Sequence, residues 1–152
     1  MPRNVVEATV RSAAPREVVW AVLADGRSWH EWGDWQTTEL EREGDPPPDG
    51  VGAIRRNVRR PLTVREQVEL WEPPSRFGYQ LLSGLPMRDY HSVVTLTAAG
   101  ANGDSTNIHW ESRFDARPRV LGAAMRAFVG ATLRDVAAKI AREAERRDGP
   151  SQ

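Results

Sequence analysis

One change of period governs what this chain can fold into. From residue 35 to residue 116 it reads as strands joined by turns. From 119 to 147 it switches to helical spacing, with no Pro to break it. The predicted strands are 35–42, 51–59, 62–71, 76–83, 87–97 and 105–114. Turn-rich breaks separate them, among them GDPPPDG (44–50), Pro73-Pro74, Gly84-Leu85-Pro86 and AAGANGD (98–104). Ahead of them, residues 5–11 alternate, with Val6, Ala8 and Val10 on one side, as in a half-buried strand. Pro15 suits a first helical turn, Val18, Val19, Val22 and Leu23 keep helical spacing, and Asp25-Gly26 stops the helix. RSWHEWGD (27–34) reads as a second short helix or turn carrying Trp29 and Trp32.

Strands in unbroken succession make an antiparallel meander, which has one face to bury. The final helix offers the stripe Leu121, Met125, Phe128, Val129, Leu133, Val136 and Ile140. Gly122, Ala123, Ala124, Gly130 and Ala131 keep its first half slim. Its last turns, 139–147, are charged and expected in solvent, with a frayed tail at 149–152. The expected fold is therefore α+β: a curved seven-stranded antiparallel sheet around a long C-terminal helix, with two short helices after strand 1. The chain should form one domain over 1–148. A curved sheet need not close fully on its helix and can leave a cavity.

Composition narrows the function. The 21 basic and 21 acidic residues cancel, which removes the electrostatic case for nucleic acid or an anionic membrane. With no Cys, disulfides, thiolate nucleophiles and Cys-held metals are excluded. No apolar run nears the length of a membrane span, and MPRNVVEATVR lacks the apolar core of a secretory leader. The expectation is a soluble, cytoplasmic protein without cofactor. Phosphate-loop, dinucleotide and nucleophile-elbow motifs are missing from the sequence. Six Trp in 152 residues point to a large core or a ring-lined pocket.

The local patterns, taken in order, carry a resemblance. They are Ala14-Pro-x-Glu17-Val18-Val-Trp20 with Asp25 and Trp32 after it, Val51-Gly52-x-x-Arg55, Arg65-Glu66-x-Val68 leading to Pro73-Pro74, and Arg76-Phe-x-Tyr79. Ser83-Gly84-Leu-Pro86-x-Arg88-Asp89-Tyr90 and Thr106-x-Ile108-x-Trp110-x-x-x-Phe114 follow. Over nearly its whole length the chain resembles the START-like superfamily, also called SRPBCC or polyketide cyclase/dehydrase, with its helix-grip fold. The resemblance implies a ligand cavity. It does not choose among lipid carriers, hormone receptors, aromatase/cyclases, oxygenase domains and co-chaperones.

Strand parity nominates the lining. Phe77, Tyr79 and Leu81 share a face, as do Tyr90, Ser92, Val94 and Leu96, and Thr106, Ile108, Trp110, Ser112 and Phe114. With Trp32, Met125, Phe128 and Val129, these give a predicted site for a small hydrophobic, partly oxygenated molecule. Glu66 lies on the apolar face of Val64, Val68 and Leu70, so it must be paired or protonated. Arg55 or Arg56 is the expected ion-pair partner; the alternative is an acid/base or a ligand-orienting group. If the fifth and sixth of these strands form a hairpin about Ala101, His91, His109, Glu111 and Arg113 become close neighbours on the outer face. A metal is not expected there, because Arg113 opposes a cation. His30 is read as a surface residue near the cavity mouth. Small-molecule binding is the leading function. A polyketide aromatase/cyclase-like enzyme using cavity Arg, Tyr and Glu, and a co-chaperone-like interaction protein, are the alternatives.

Overall fold

A computed structural model describes residues 4–149. The chain runs β1 (Asn4–Ser12), α1 (Arg16–Ala24), a 3₁₀ turn (Gly26–Ser28), α2 (Trp29–Trp32), then β2 (Thr37–Arg42) and β3 (Ile54–Arg59). It continues with β4 (Leu62–Glu72), β5 (Arg76–Ser83), β6 (Met87–Ala99), β7 (Ser105–Ala116), a second 3₁₀ turn (Arg119–Leu121) and α3 (Gly122–Asp148). The seven strands form one antiparallel sheet in the order β1-β7-β6-β5-β4-β3-β2, and its apolar face turns toward α3. This is the helix-grip arrangement expected from the change of period.

Boundaries moved for local reasons. Pro15 stays outside α1 with extended backbone, and its carbonyl accepts from the N–H groups of Val18 and Val19. Residues 51–53 are not ladder strand: Val51 bridges back to Asp45, closing the GDPPPDG loop on itself. Ala99 opposes Ser105, so the β6–β7 hairpin centres on Asn102 rather than Ala101. Moving the centre by one residue moves every partner by two, and the inward faces survive.

β6 also carries a bulge between Arg88 and His91, with Asp89 at φ 50°. Asp is among the few side chains that tolerate this left-handed region. The extra residue lets Met87 and Tyr90 both face inward, although plain alternation would separate them.

α3 is anchored by its second half. Val129, Leu133 and Ile140 are buried as the stripe requires. The stripe does not stop at Ile140, as the sequence suggested: Ala137, Ala141 and Ala144 are buried too, so only the charged side of the last turns is solvated. Ser12 donates to the Ala141 carbonyl at 3.0 Å, and the Ala13 N–H reaches Glu145 Oε2 at 3.0 Å. The first half is looser. Phe128 is 42% exposed and Met125 only half-buried. Gly130 faces Val6 of β1 at the sheet edge, so its missing side chain opens no space over the middle of the sheet. The expected tail beyond Gly149, residues 150–152, lies outside the described residues.

The asymmetry is testable by urea unfolding. Ile140→Ala should lower stability by about 2–5 kcal/mol, as buried aliphatic truncations do. Phe128→Ala should change it by less than about 1 kcal/mol.

Candidate functional site

α3 lies over β1, β7 and α1, which leaves the inner face of β4–β6 only partly covered. Two adjoining spaces remain there. The inner one, about 100 Å³, is walled by Val64 and Glu66 of β4, Tyr79 and Leu81 of β5, Tyr90 of β6 and Trp110 of β7, with Val129 and Leu133 of α3 opposite. The outer one, about 520 Å³, is a vestibule between α2, the β3–β4 turn and α3. Trp29, Trp35, Leu62, Phe128, Thr132 and Val136 belong to both walls, so the two adjoin. Arg59, Arg60, Asp34, Asp135 and Lys139 form the vestibule's charged rim.

Seven of the predicted residues line the inner space: Glu66, Tyr79, Leu81, Tyr90, Trp110, Phe128 and Val129. Trp32 lines the vestibule. Four line neither. Val94 and Phe114 are fully buried core, Phe114 stacking on Tyr90 with ring centroids 5.7 Å apart. Met125 packs against the core nearer the start of α3, and Arg55 lies behind the cavity wall. Parity had put these side chains on the right face without saying how far along it the gap extends. Trp29, Trp35, Leu62, Val64, Leu85, Met87, Thr132, Leu133 and Val136 were missed as lining. Val64, Leu133 and Val136 carried a signal, since all three sat on faces already read as apolar.

The six Trp divide three ways. Trp20 and Trp71 pack edge to face, 5.2 Å apart, with Phe77 against both. Trp29, Trp32 and Trp35 surround the vestibule, and Trp110 closes the inner end.

The expected ion pair of Glu66 with Arg55 or Arg56 does not form. Arg55 stands directly across from Glu66 in the β3–β4 ladder, but its guanidinium points toward α1. It donates to the carbonyls of Leu23 at 3.3 Å and Ala24 at 2.7 Å, approaches Asp49 at 3.5 Å, and lies 4.8 Å from the Phe77 ring centre and 5.6 Å from that of Trp29. Those carbonyls end α1, where a cation is favoured. Arg56 turns to the outer face and pairs with Glu39. Among the described residues no cation comes within ion-pair distance of Glu66. Its one hydrogen bond is from Asn57 Nδ2 at 3.2 Å.

Glu66 is half-buried by surface, as a wall residue of a cavity must be, yet its carboxyl is surrounded by protein. Burial pushes its pKa from 4.5 to about 7, with Arg55 across the ladder and the Asn57 bond pulling part of the way back. Burial likewise holds the Tyr79 hydroxyl well above its usual range, and raises Tyr90. Tyr90 shares a hydrogen bond with Ser112 at 3.0 Å, and Ser112 another with Ser92 at 2.5 Å. Trp110 Nε1 faces the Tyr79 hydroxyl without closing a well-aligned hydrogen bond, and Asn57 Oδ1 is buried with no hydrogen-bond partner among the described residues.

The histidines lie elsewhere. His30 is exposed and bonds Thr38 at 2.9 Å, tying α2 to β2. His91 and His109 are not neighbours: His91 opposes Arg113 and bonds Glu69, while His109 opposes Thr95. On the outer face Glu7, His109 and Glu111 do converge, but Glu111 already takes Arg113 at 2.5 Å. No helix is long and apolar enough to cross a membrane.

A seven-stranded sheet gripping one C-terminal helix around an apolar space defines a START-like ligand-binding fold. The chain belongs to the polyketide cyclase/dehydrase and lipid transport family, whose model matches residues 3–145. It is similar to a START superfamily protein from Mycobacterium smegmatis, with TM-score 0.79 and 16% identity over 93% of this chain and 97% of that one. The Zhui aromatase/cyclase from a Streptomyces species gives 0.77 and 22% over 95% and 94%. A point mutant of norcoclaurine synthase from Thalictrum flavum, solved with a transition-state analogue, gives 0.76 and 18% over 96% of each chain. No curated protein matches the chain in sequence.

The unpaired carboxyl sets a pH dependence. Between about pH 4.5 and 7 the folded chain keeps a proton on Glu66 that the unfolded chain has released. This group's stabilisation is therefore full below about 4.5 and declines as pH rises to about 7. Glu66→Gln should consequently be more stable than wild type above pH 7, by about 1–3 kcal/mol, and the difference should vanish toward acid pH. An ion pair would give the opposite sign. Urea unfolding of both proteins across this range decides between them.

Proposed function

We propose that this chain binds one small, mostly apolar, partly oxygenated molecule in the space between α3 and the sheet. The observation that carries the reading is a vestibule that shares six wall residues with an inner, aromatic-walled space whose few polar groups include Glu66, Tyr79, Tyr90 and Trp110 Nε1. A volume of about 520 Å³ falls in the range of small-molecule sites. A preformed apolar surface supplies affinity, and a few polar atoms fix orientation. The ligand-binding fold supports this reading, while the loose first half of α3 and the half-exposed Phe128 supply a mouth.

An environment-sensitive apolar dye, followed by Trp quenching, should show a single saturable site. Thr132 is exposed and lines both spaces, so Thr132→Trp obstructs the passage without disturbing the core. It should weaken dye binding by about tenfold or more with the fold intact. Unchanged affinity in that variant counts against this site.

A second reading is proton-transfer catalysis, the kind of chemistry an aromatase/cyclase performs. Glu66 favours it: a cavity-facing carboxyl free of cations, with a pKa of about 7, is poised as an acid or base at neutral pH. Ring opening of nitrobenzisoxazole, in which a base removes a C–H proton as the N–O bond breaks, is a suitable probe. Under this reading its rate climbs through about pH 7 and falls about 100-fold in Glu66→Gln, with dye binding retained. A rate no faster than in the variant leaves the chain a binder.

A further inference from the structure

We infer that the ligand is an amphipathic hydroxy acid, bound with a neutral hydroxyl at the Glu66 end and its carboxylate at the Arg60 rim. The inference rests on the ligand-binding reading above and adds the chemistry and direction of what is bound.

The inner end rejects an anion. Glu66 is there, and among the described residues no cation lies within ion-pair distance of it. Arg55, the nearest candidate, is turned away and held by the Leu23 and Ala24 carbonyls and by Asp49. A ligand carboxylate placed here would lose its water, gain no ion-pair partner and face a second carboxyl. An ammonium is also poorly served. Trp110 Nε1–H and the Tyr79 and Tyr90 hydroxyls share that wall, and an ammonium, which has no lone pair, accepts from none of them. A hydroxyl both donates, to the Glu66 carboxyl oxygens, and accepts, from an indole or tyrosine hydrogen.

The rim has the opposite character. Arg59, Arg60 and Lys139 share it with Asp34 and Asp135. Lys139 is held between Asp34 at 2.5 Å and Asp135 at 2.7 Å, and Arg59 approaches Asp34 at 3.8 Å. That leaves Arg60. It is exposed, and its guanidinium makes no ion pair among the described residues. Its backbone N–H is fixed by Gln36 Oε1 at 3.0 Å, which holds the β3–β4 turn over the vestibule. A carboxylate emerging past Trp35 and Leu62 meets an unoccupied guanidinium with water still at hand, where an anion is cheap to keep and a fork geometry is available.

The test is a matched set of naphthalenes displacing the apolar dye at neutral pH. One carries a hydroxyl and a carboxylate at opposite ends, and the others only the hydroxyl, only the carboxylate, or an aminomethyl group. The hydroxynaphthoate should bind tightest, ahead of the naphthol by roughly threefold to tenfold and ahead of the naphthoate by more. Arg60→Gln should reduce the hydroxynaphthoate to the naphthol's affinity and leave the naphthol unchanged. The inference is overturned if the naphthoate or the amine binds best, or if Arg60→Gln has no effect on the hydroxynaphthoate. Dye that binds while no member of the set displaces it overturns the hydroxy-acid class and leaves ligand binding standing. No dye binding at all removes both.

Discussion

A single helix has to cover one face of a seven-stranded sheet, and it is too narrow to do so. Strands at about 4.8 Å spacing make a sheet roughly 30 Å across, whereas a helix with its side chains is about 10–12 Å wide. α3 meets this by lying against β1 and β7, with Gly130 packed on Val6, while the sheet curls the remaining strands back toward it. The uncovered part of β4–β6 is then closed only by the short segment from α1 to α2 and its tryptophans. A gap between helix and sheet follows from width alone, and the fold's capacity to hold a ligand follows from the gap.

Arg55 keeps the closing segment in place. Burying a guanidinium is unfavourable, and this one is offset by two carbonyls at the end of α1, by Asp49 and by the faces of Phe77 and Trp29. One side chain thereby joins β3, the Asp49 loop, α1 and the start of α2. Gly26 makes the approach possible, since a Cβ there would fall 2.5 Å from Arg55 Nε. The same commitment leaves Glu66 without a cation. Satisfying the helix end and creating a carboxyl of raised pKa are two results of one choice of direction by Arg55.

The site is correspondingly polarised. Its inner end holds neutral tyrosines, an indole N–H beside the Tyr79 hydroxyl and a carboxyl that protonates readily. Its rim holds fixed charges in water. Whether the chain only binds or also moves a proton turns on Glu66, because among the described residues no other titratable group lines the inner space except the two tyrosines, whose protons are held more firmly.

By itself the sequence determined the order of elements, the sheet and the faces. Alternation and helical spacing are local, and a shift of the β6–β7 hairpin by one residue left Tyr90, Ser92, Trp110 and Phe114 pointing inward. It could not place the ends of the cavity. Val94 and Phe114 share faces with Tyr90 and Trp110 yet are solid core, because only the position of α3 decides where contact stops. Nor could parity foresee the β6 bulge that brings Met87 in beside Tyr90, or the partner of Glu66. Arg55 and Glu66 are cross-strand neighbours, and strand pairing alone predicts an ion pair. Tertiary structure brought the end of α1 within reach of the guanidinium, and carbonyls from a distant part of the chain outbid the carboxylate next door.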